Sequence, residues 1–157
     1  MSFPLRPHDG VHMTLRIERT IRWTLVILGA ITALPALALI SPGRALEVSY
    51  GISPPSDPMA LALLQHRGIL QAALGAALVW AAFHPSVRVP AAVTAIVTKS
   101  VFLGLMATLP AAVSAGATPG ILFDIVAVVL LAAVALHHVL TGSSGRGGGD
   151  TFGPDPV

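Results

Sequence analysis

The sequence contains no cysteine, and this absence excludes several classes of protein. Without thiols the chain can form no disulfide scaffold, perform no thiol redox chemistry and bind no metal through cysteine. Charged residues are also scarce, at 10% of 157 residues, and aromatic residues make up 5%. The sequence has no basic cluster with interleaved aromatic residues and no glycine-rich phosphate loop after a strand, so nucleic acid is not a predicted partner.

Apolar residues, in contrast, are abundant: 54% of the chain is hydrophobic and the mean hydropathy is +0.81. A soluble domain of this size cannot bury that much apolar surface. The acids and bases lie mostly between long apolar runs, an arrangement typical of proteins that cross a membrane several times. The composition therefore predicts an integral membrane protein that has the lipid bilayer as its first partner.

Four apolar runs approach or exceed the roughly 20 helical residues that a bilayer core requires. None of them alternates apolar and polar residues as a transmembrane strand does, so helices remain as the spanning structure. The predicted fold is an all-α membrane protein, an antiparallel four-transmembrane-helix bundle over residues 22–141. The predicted spans are 23–40, 59–83, 89–113 and 121–140, flanked by a cytoplasmic segment 1–21 and a disordered tail 142–157.

Proline and capping residues predict where these helices begin and end. Asp57-Pro58 and Thr118-Pro119 each combine a capping side chain with a proline suited to the first helical position, so they predict the starts of the second and fourth helices. His84-Pro85 predicts the end of the second helix. Pro35 and Pro110 lie inside apolar runs, where each removes a backbone hydrogen bond and is expected to kink or end its helix.

The distribution of arginine predicts the orientation. With four spans, only Arg44 falls on one side, and six arginines fall on the other: Arg6, Arg16, Arg19, Arg22, Arg88 and Arg146. The excess favours a cell-membrane protein with both termini in the cytoplasm. A second interpretation treats Arg16 to Ala38 as a cleavable signal processed after Ala36-Leu37-Ala38, which would remove the first span. Met13 is an alternative start.

Three ionisable side chains, Arg67, Lys99 and Asp124, lie inside the predicted spans, where a charge costs about 2.5 to 3.5 kcal/mol at the centre. Helical rise places Arg67 about 12 Å and Asp124 about 6 Å below the outer surface. Gln71 lies one turn deeper than Arg67 on the same face, and Lys99 reaches that depth from the other side. We therefore expect a polar cluster in the outer half, with Asp124 paired to Arg67 and Gln71 meeting Lys99.

This cluster has two main interpretations. In the structural one, Arg67 and Asp124 form a buried ion pair that fixes helix register, and Lys99 reaches carbonyls or nearby hydroxyls. In the functional one, two cations against one carboxylate leave the cluster positive and suited to an anionic or electron-rich headgroup. Arg67 could also extend its charged end to the interface. His66 is expected to line a neighbouring wall, either packed or handling protons.

The remaining histidines of the spans, His84, His137 and His138, are predicted to lie near the inner boundary. They could meet at one depth, the minimum requirement for a haem or metal site. No carboxylate lies near them in sequence, and no pair has ligand spacing on one helix face. We therefore expect interfacial solvation of these histidines, no metal and no cofactor.

Small residues recur at four-residue spacing on two of the predicted helices. Gly68, Ala72 and Ala76 form one such face, and Ser100, Gly104 and Thr108 form the other. Such faces let helix backbones approach closely. They predict contact between the second and third helices.

The segments Leu64 to Leu70, which contains His66-Arg67, and Ala81 to Pro85 resemble a group of small, uncharacterised bacterial membrane proteins with four spans. The similarity covers residues 22–140. It implies the four-span fold and draws attention to His66 and Arg67. The group has no established activity, so the resemblance implies no role for either residue.

The expected function is non-enzymatic, because the sequence shows no nucleophile with a base and no metal constellation. We expect binding of a lipid-like or small anionic ligand, or of a partner helix, through His66, Arg67, Gln71, Lys99 and Asp124. A homo-oligomer or another membrane protein is the expected protein partner. The alternative is a small proton-linked transporter that uses the ionisable members of this cluster and acts as an oligomer.

Overall fold

A computed structural model describes residues 8–44, 47, 53, 55–108 and 118–143. Within these ranges the regular structure is entirely helical, so the predicted all-α class is confirmed for this part of the chain. Pro110 and residues 144–157 of the predicted tail lie outside it. The four long helices are α1, His8–Ala33; α2, Pro58–Phe83; α3, Arg88–Ala107; and α4, Thr118–Ser143, with short 3-10 helices at Leu34–Leu39 and Pro85–Val87.

Three helical segments of the described chain are long and apolar enough to cross a membrane. They are Met13–Leu39, Pro85–Ala107 and Thr118–Thr141. The helix α2 is equally long, but Gln65, His66, Arg67 and Gln71 interrupt its apolar sequence. Length and composition thus support three membrane helices, and the fourth span stays a prediction.

The predicted punctuation of the helices agrees with the structure. The Asp57 carboxylate accepts a hydrogen bond from the Met59 N–H at 3.0 Å, and Pro58 is the first residue of α2. The helix α1 ends at Ala33, and Pro35 lies in the 3-10 helix that follows, since proline has no N–H with which to continue the α-helical ladder. At its other end α1 begins at His8, so its helical structure starts well before the apolar run that begins at Trp23.

Contacts along α1 and α2 show that these two helices run in opposite directions. The Arg22 guanidinium lies 5.5 Å from the centre of the Phe83 ring, Gly29 meets Gly75, and the chain at Pro35 meets Gly68. Residue numbers that increase along α1 thus meet residue numbers that decrease along α2, as in an antiparallel pair. The same order relates α3 and α4, because Arg88 contacts His138 and Lys99 contacts Asp124.

Glycine permits the closest approach between α1 and α2. A Cβ added at Gly75 would lie 2.4 Å from the Gly29 carbonyl oxygen, and one added at Gly29 would lie 2.6 Å from the Gly75 oxygen. Gly68 packs against Pro35, and a Cβ at Gly104 would meet no described atom within 4 Å. The predicted contact between α2 and α3 exists, but the prediction that it runs through Gly68 and Gly104 is wrong. Four-residue spacing identifies a face that allows close packing but does not identify the neighbour.

The core lies along the centre of the four helices and is built from leucine and alanine. Leu25, Leu78 and Leu131 are fully buried, with alanines of α2, α3 and α4 between them. Large apolar side chains such as Val101 and Val129 point outward and are more than half exposed. An apolar surface of this extent is typical of a protein face covered by lipid.

Candidate functional site

A cavity of about 500 Å³ lies among the four helices. It is bordered by the end of α1 and the chain that follows it, the first half of α2, the second half of α3 and the start of α4. The lining residues are Ile31, Thr32, Leu34, Pro35, Leu37, Ile40, Ser41, Arg44, Arg67, Gln71, Lys99, Phe102, Pro119, Gly120, Phe123 and Asp124. Most of the wall is apolar, and the charged groups enter it from α2, α3, α4 and the segment after α1.

The buried ion pair in this wall joins Lys99 and Asp124, which are 3% and 7% exposed. The prediction that Asp124 pairs with Arg67 is therefore wrong. Asp124 lies on α4, whose main neighbour is α3, whereas Arg67 lies on α2, whose main neighbour is α1. Depth along the helices was sufficient to group the three charges, but the rotation and pairing of the helices decide which two meet.

Arg67 and Lys99 both lie against aromatic rings of the cavity wall. The Arg67 guanidinium is 4.4 Å from the centre of the Phe102 ring, and the Lys99 ammonium is 4.7 Å from the centre of the Phe123 ring. Such cation–π contacts stabilise a positive charge in an apolar environment. The predicted meeting of Gln71 with Lys99 is wrong, because Gln71 Oε1 is buried and accepts no hydrogen bond within the described chain.

The charges that line the cavity do not balance. Among the described residues of the lining, Arg44, Arg67 and Lys99 contribute three positive charges and Asp124 contributes one negative charge. From the sequence, Arg44 was expected only to lie between the first two spans, and it was not connected with the cluster. Its position four residues after Ile40, just beyond the first apolar run, could have indicated that it lies near the outer end of the cluster.

His66 takes a different position from the other predicted residues. Its side chain is exposed and is not part of the cavity lining, because one residue along a helix is about 100° around its axis. Four of the five predicted residues, Arg67, Gln71, Lys99 and Asp124, line one cavity. This grouping is the main feature of the site that was predictable from the sequence.

A second polar cluster surrounds Arg88 near the opposite ends of the same helices. Arg88 is 1% exposed. Its Nε donates to the Ala81 carbonyl at 3.0 Å and its Nη2 donates to the Ala82 carbonyl at 3.1 Å. These are carbonyls of the last turn of α2, which have no partner within their own helix. Arg88 thus satisfies the end of α2 from the first residue of α3.

Arg88 also connects α3 with α1 and α4. Both its terminal nitrogens bind the Glu18 carboxylate, one of them at 2.9 Å, and Nη1 lies 3.0 Å from Nε2 of His138. Because arginine can only donate, Nε2 must accept, and the proton of a neutral His138 is on Nδ1. The contacts of Arg88 with three other helices were not predicted from the sequence, and the predicted interfacial solvation of His138 is wrong, because its ring is bound to Arg88.

The other two histidines do not join this cluster. His84 is exposed, and its ring Nδ1 lies 3.1 Å from the Trp80 carbonyl oxygen. His137 packs edge-on against His138, with ring centres 5.8 Å apart. Within the described residues, no group of three or more histidine, aspartate or glutamate side chains is placed to hold a metal ion.

Comparisons of the chain with protein-family models, with curated proteins and with solved structures find no significant match. The resemblance to small bacterial proteins with four spans thus stays a prediction. The function has to be inferred from the geometry of the cavity and of the Arg88 cluster.

Proposed function

We propose that this chain is a non-enzymatic, antiparallel four-helix membrane protein that binds a lipid-like ligand with an anionic headgroup. The ligand occupies the cavity among the four helices, with its headgroup near Arg67 and Arg44 and its apolar chain along the residues that follow α1. Both termini are cytoplasmic, which places the cavity in the outer half of the membrane.

The excess of positive charge in a mostly apolar cavity carries this proposal. Lys99 pairs with Asp124, and the other cationic residues of the described lining are Arg67 and Arg44. A cavity of this volume falls within the range of about 300 to 1,000 Å³ typical of small-molecule sites. Guanidinium groups are well suited to carboxylate and phosphate, since they donate two hydrogen bonds in parallel.

The apolar part of the wall supports a ligand with a hydrocarbon chain. Ile31, Leu34, Leu37 and Ile40 follow one another along the end of α1 and the 3-10 helix, and all line the cavity. Leu37 and Ile40 are 54% and 87% exposed. An exposed apolar path beside a cationic group is complementary to an amphiphile rather than to a small inorganic anion.

The close packing of α2 on α1 supports a fourth span. Contacts extend from Arg22 and Phe83 at one end to Gln65 at the other, where its Nε2 donates to the Ala38 carbonyl at 3.3 Å. Packing along α1 over this length favours a crossing of the membrane by α2 as well. The polar face of α2 at Arg67 and Gln71 then faces the cavity instead of lipid.

A proton-linked transporter is the second candidate, and the Lys99 and Asp124 pair favours it. An ion pair in a cavity wall can exchange protons and ions with a bound solute as the helices move. His66 is exposed outside the cavity, so this pathway would rely on Arg67, Lys99 and Asp124. Proteoliposomes loaded with a pH-sensitive dye would show ligand-dependent proton movement if transport is the function.

Native mass spectrometry of the full chain in maltoside detergent tests the binding proposal. We expect one dodecyl phosphate molecule to bind each chain and zwitterionic dodecylphosphocholine to bind weakly. Arg67→Met should weaken dodecyl phosphate binding about tenfold or more, the equivalent of one charge-assisted hydrogen bond. The same spectra report the oligomeric state.

The matched control is Arg19→Met, which removes an exposed arginine far from the cavity. It should bind dodecyl phosphate as the wild type does. Equal binding of dodecyl phosphate to wild type and Arg67→Met, with both proteins folded, would refute the proposal.

A further inference from the structure

Two buried side-chain atoms of the described chain have no hydrogen-bond partner, and both belong to residues that line the cavity. They are the hydroxyl oxygen of Thr32, on α1, and Oε1 of Gln71, on α2. Thr32 is 3% exposed. An unpaired polar group in such a position destabilises the folded protein, so its retention calls for a partner.

Other helical threonines in the chain show what Thr32 could have done instead. The hydroxyls of Thr20, Thr94, Thr98 and Thr141 each donate to the carbonyl of the residue four positions earlier, at 2.8 to 3.0 Å. This is the usual way for a threonine to satisfy its hydroxyl within a helix. Thr32 is more deeply buried than these and makes no such bond, so its hydroxyl, in a residue of the cavity wall, is left without a partner in the described chain.

The position of Gln71 relates this polar pair to the cationic group. Gln71 follows Arg67 by four residues, so the two lie on the same face of α2, with about 5 to 6 Å between their Cβ atoms. A single headgroup whose anionic group binds Arg67 can therefore also reach the Gln71 amide oxygen. The Gln71 amide oxygen can only accept a hydrogen bond. Ionised phosphate and carboxylate oxygens also only accept, so they cannot be the partner of Gln71 Oε1.

We infer that the ligand carries a hydroxyl group next to its anionic group, and that this hydroxyl binds between Thr32 and Gln71. The ligand O–H donates to Gln71 Oε1, and its oxygen accepts the Thr32 O–H. Resting on the proposed function, this inference narrows the ligand class to hydroxylated phosphate amphiphiles, of which a single-chain acyl glycerol phosphate is the simplest. A free polyol phosphate shares the headgroup chemistry but lacks the chain.

The experiment compares two ligands that differ by the one hydroxyl. Native mass spectrometry titrations use 1-lauroyl-glycerol 3-phosphate and its 2-deoxy analogue, 1-lauroyl-propane-1,3-diol 3-phosphate, with the full chain. We expect the wild type to bind the hydroxylated ligand about fivefold to tenfold more tightly, the usual effect of one net hydrogen bond. Glycerol 3-phosphate is added as a competitor, and full displacement at equal concentration would assign the site to a free polyol phosphate.

Four variants separate the hydroxyl from the charge. Gln71→Met and Thr32→Val should bind the two lipids with nearly equal affinity, because each removes one partner of the hydroxyl. Thr32→Ser should keep the preference, which shows that the hydroxyl and not the packing matters. Arg67→Met should weaken both lipids by the same factor, because it removes only the phosphate contact.

The outcomes distinguish this inference from the proposed function. If the wild type binds both lipids equally, the inference is overturned and anionic lipid binding stands. If it binds neither, both fail. A preference that survives in Gln71→Met and in Thr32→Val would also overturn the inference, since the hydroxyl would then be recognised elsewhere.

Discussion

Arg88 and Lys99 are two buried cations on the same helix, α3, and their surroundings differ. They are 1% and 3% exposed and lie about 16 Å apart along the helix axis. Arg88 has five N–H donors, and the structure gives it five acceptor contacts from Glu18, His138, Ala81 and Ala82. Lys99 has one carboxylate, one aromatic ring and a cavity beside it.

The difference in hydrogen bonding between the two regions distinguishes a structural role from a binding role. A cation with every donor satisfied has nothing to offer a ligand, and its partners fix the relative positions of α1, α2, α3 and α4. A cluster with more positive than negative charge and with unpaired hydrogen-bonding groups lowers the stability of the folded protein, and a bound ligand can offset this loss. The first arrangement is typical of a structural junction and the second of a binding site.

Replacing Arg88 should have the largest effect. Arg88→Met leaves two helix-end carbonyls and the Glu18 carboxylate without their donor, so we expect a loss of about 3 to 5 kcal/mol in the free energy of unfolding. Thermal unfolding in detergent, followed by circular dichroism, measures it. Arg88→Lys keeps the charge but not the five donors, and should recover only part of the loss. A wild-type melting temperature for Arg88→Met would contradict the structural role.

Breaking the buried pair of Lys99 and Asp124 should cost less. Lys99→Met leaves Asp124 unpaired beside a cavity that can admit water, so we expect a loss of about 2 to 3 kcal/mol, at the lower end for a buried pair. The double variant Lys99→Met/Asp124→Leu removes both charges and should regain most of that stability in the same melts. If Lys99→Met proves as costly as Arg88→Met, the contrast between the two regions fails.

The contact between Gly29 and Gly75 tests whether the two regions depend on close packing of α1 and α2. Gly75→Ala puts a methyl group 2.4 Å from the Gly29 carbonyl oxygen, so the helices must separate at a cost of about 1 to 3 kcal/mol. Gly104→Ala is the control, because its added methyl meets no described atom. Equal melting temperatures for the two variants would show that α1 and α2 are not closely packed here.

The smallest effect is expected at Glu18, the most accessible partner of Arg88. Its side chain is 42% exposed, and Glu18→Gln keeps a hydrogen-bond acceptor while removing the charge. We expect a loss below about 1 kcal/mol, as for other solvent-screened ion pairs. Asp124→Asn in the buried pair should cost more, and unfolding curves measured at low and high salt compare the two. A larger loss for Glu18→Gln would reverse their order.

Much of the secondary structure was predictable from the sequence. Asp57 and Pro58 set the start of α2, and Pro35 ended α1, because capping and the missing proline N–H act within a few residues. The grouping of Arg67, Gln71, Lys99 and Asp124 also followed from the sequence, since depth in a helix is a simple count of residues. The start of α1 did not, because helical structure continues into residues that are not apolar.

The pairing of side chains required the tertiary structure. The sequence alone determined that the chain is helical, strongly apolar and interrupted by a few charges at definable depths. It could not determine which helix faces which, so Asp124 was paired with Arg67 instead of Lys99, and the contacts of Arg88 with three other helices were not predicted. Depth depends on local geometry, whereas helix rotation depends on contacts between residues up to 70 positions apart, and only the folded chain brings these together.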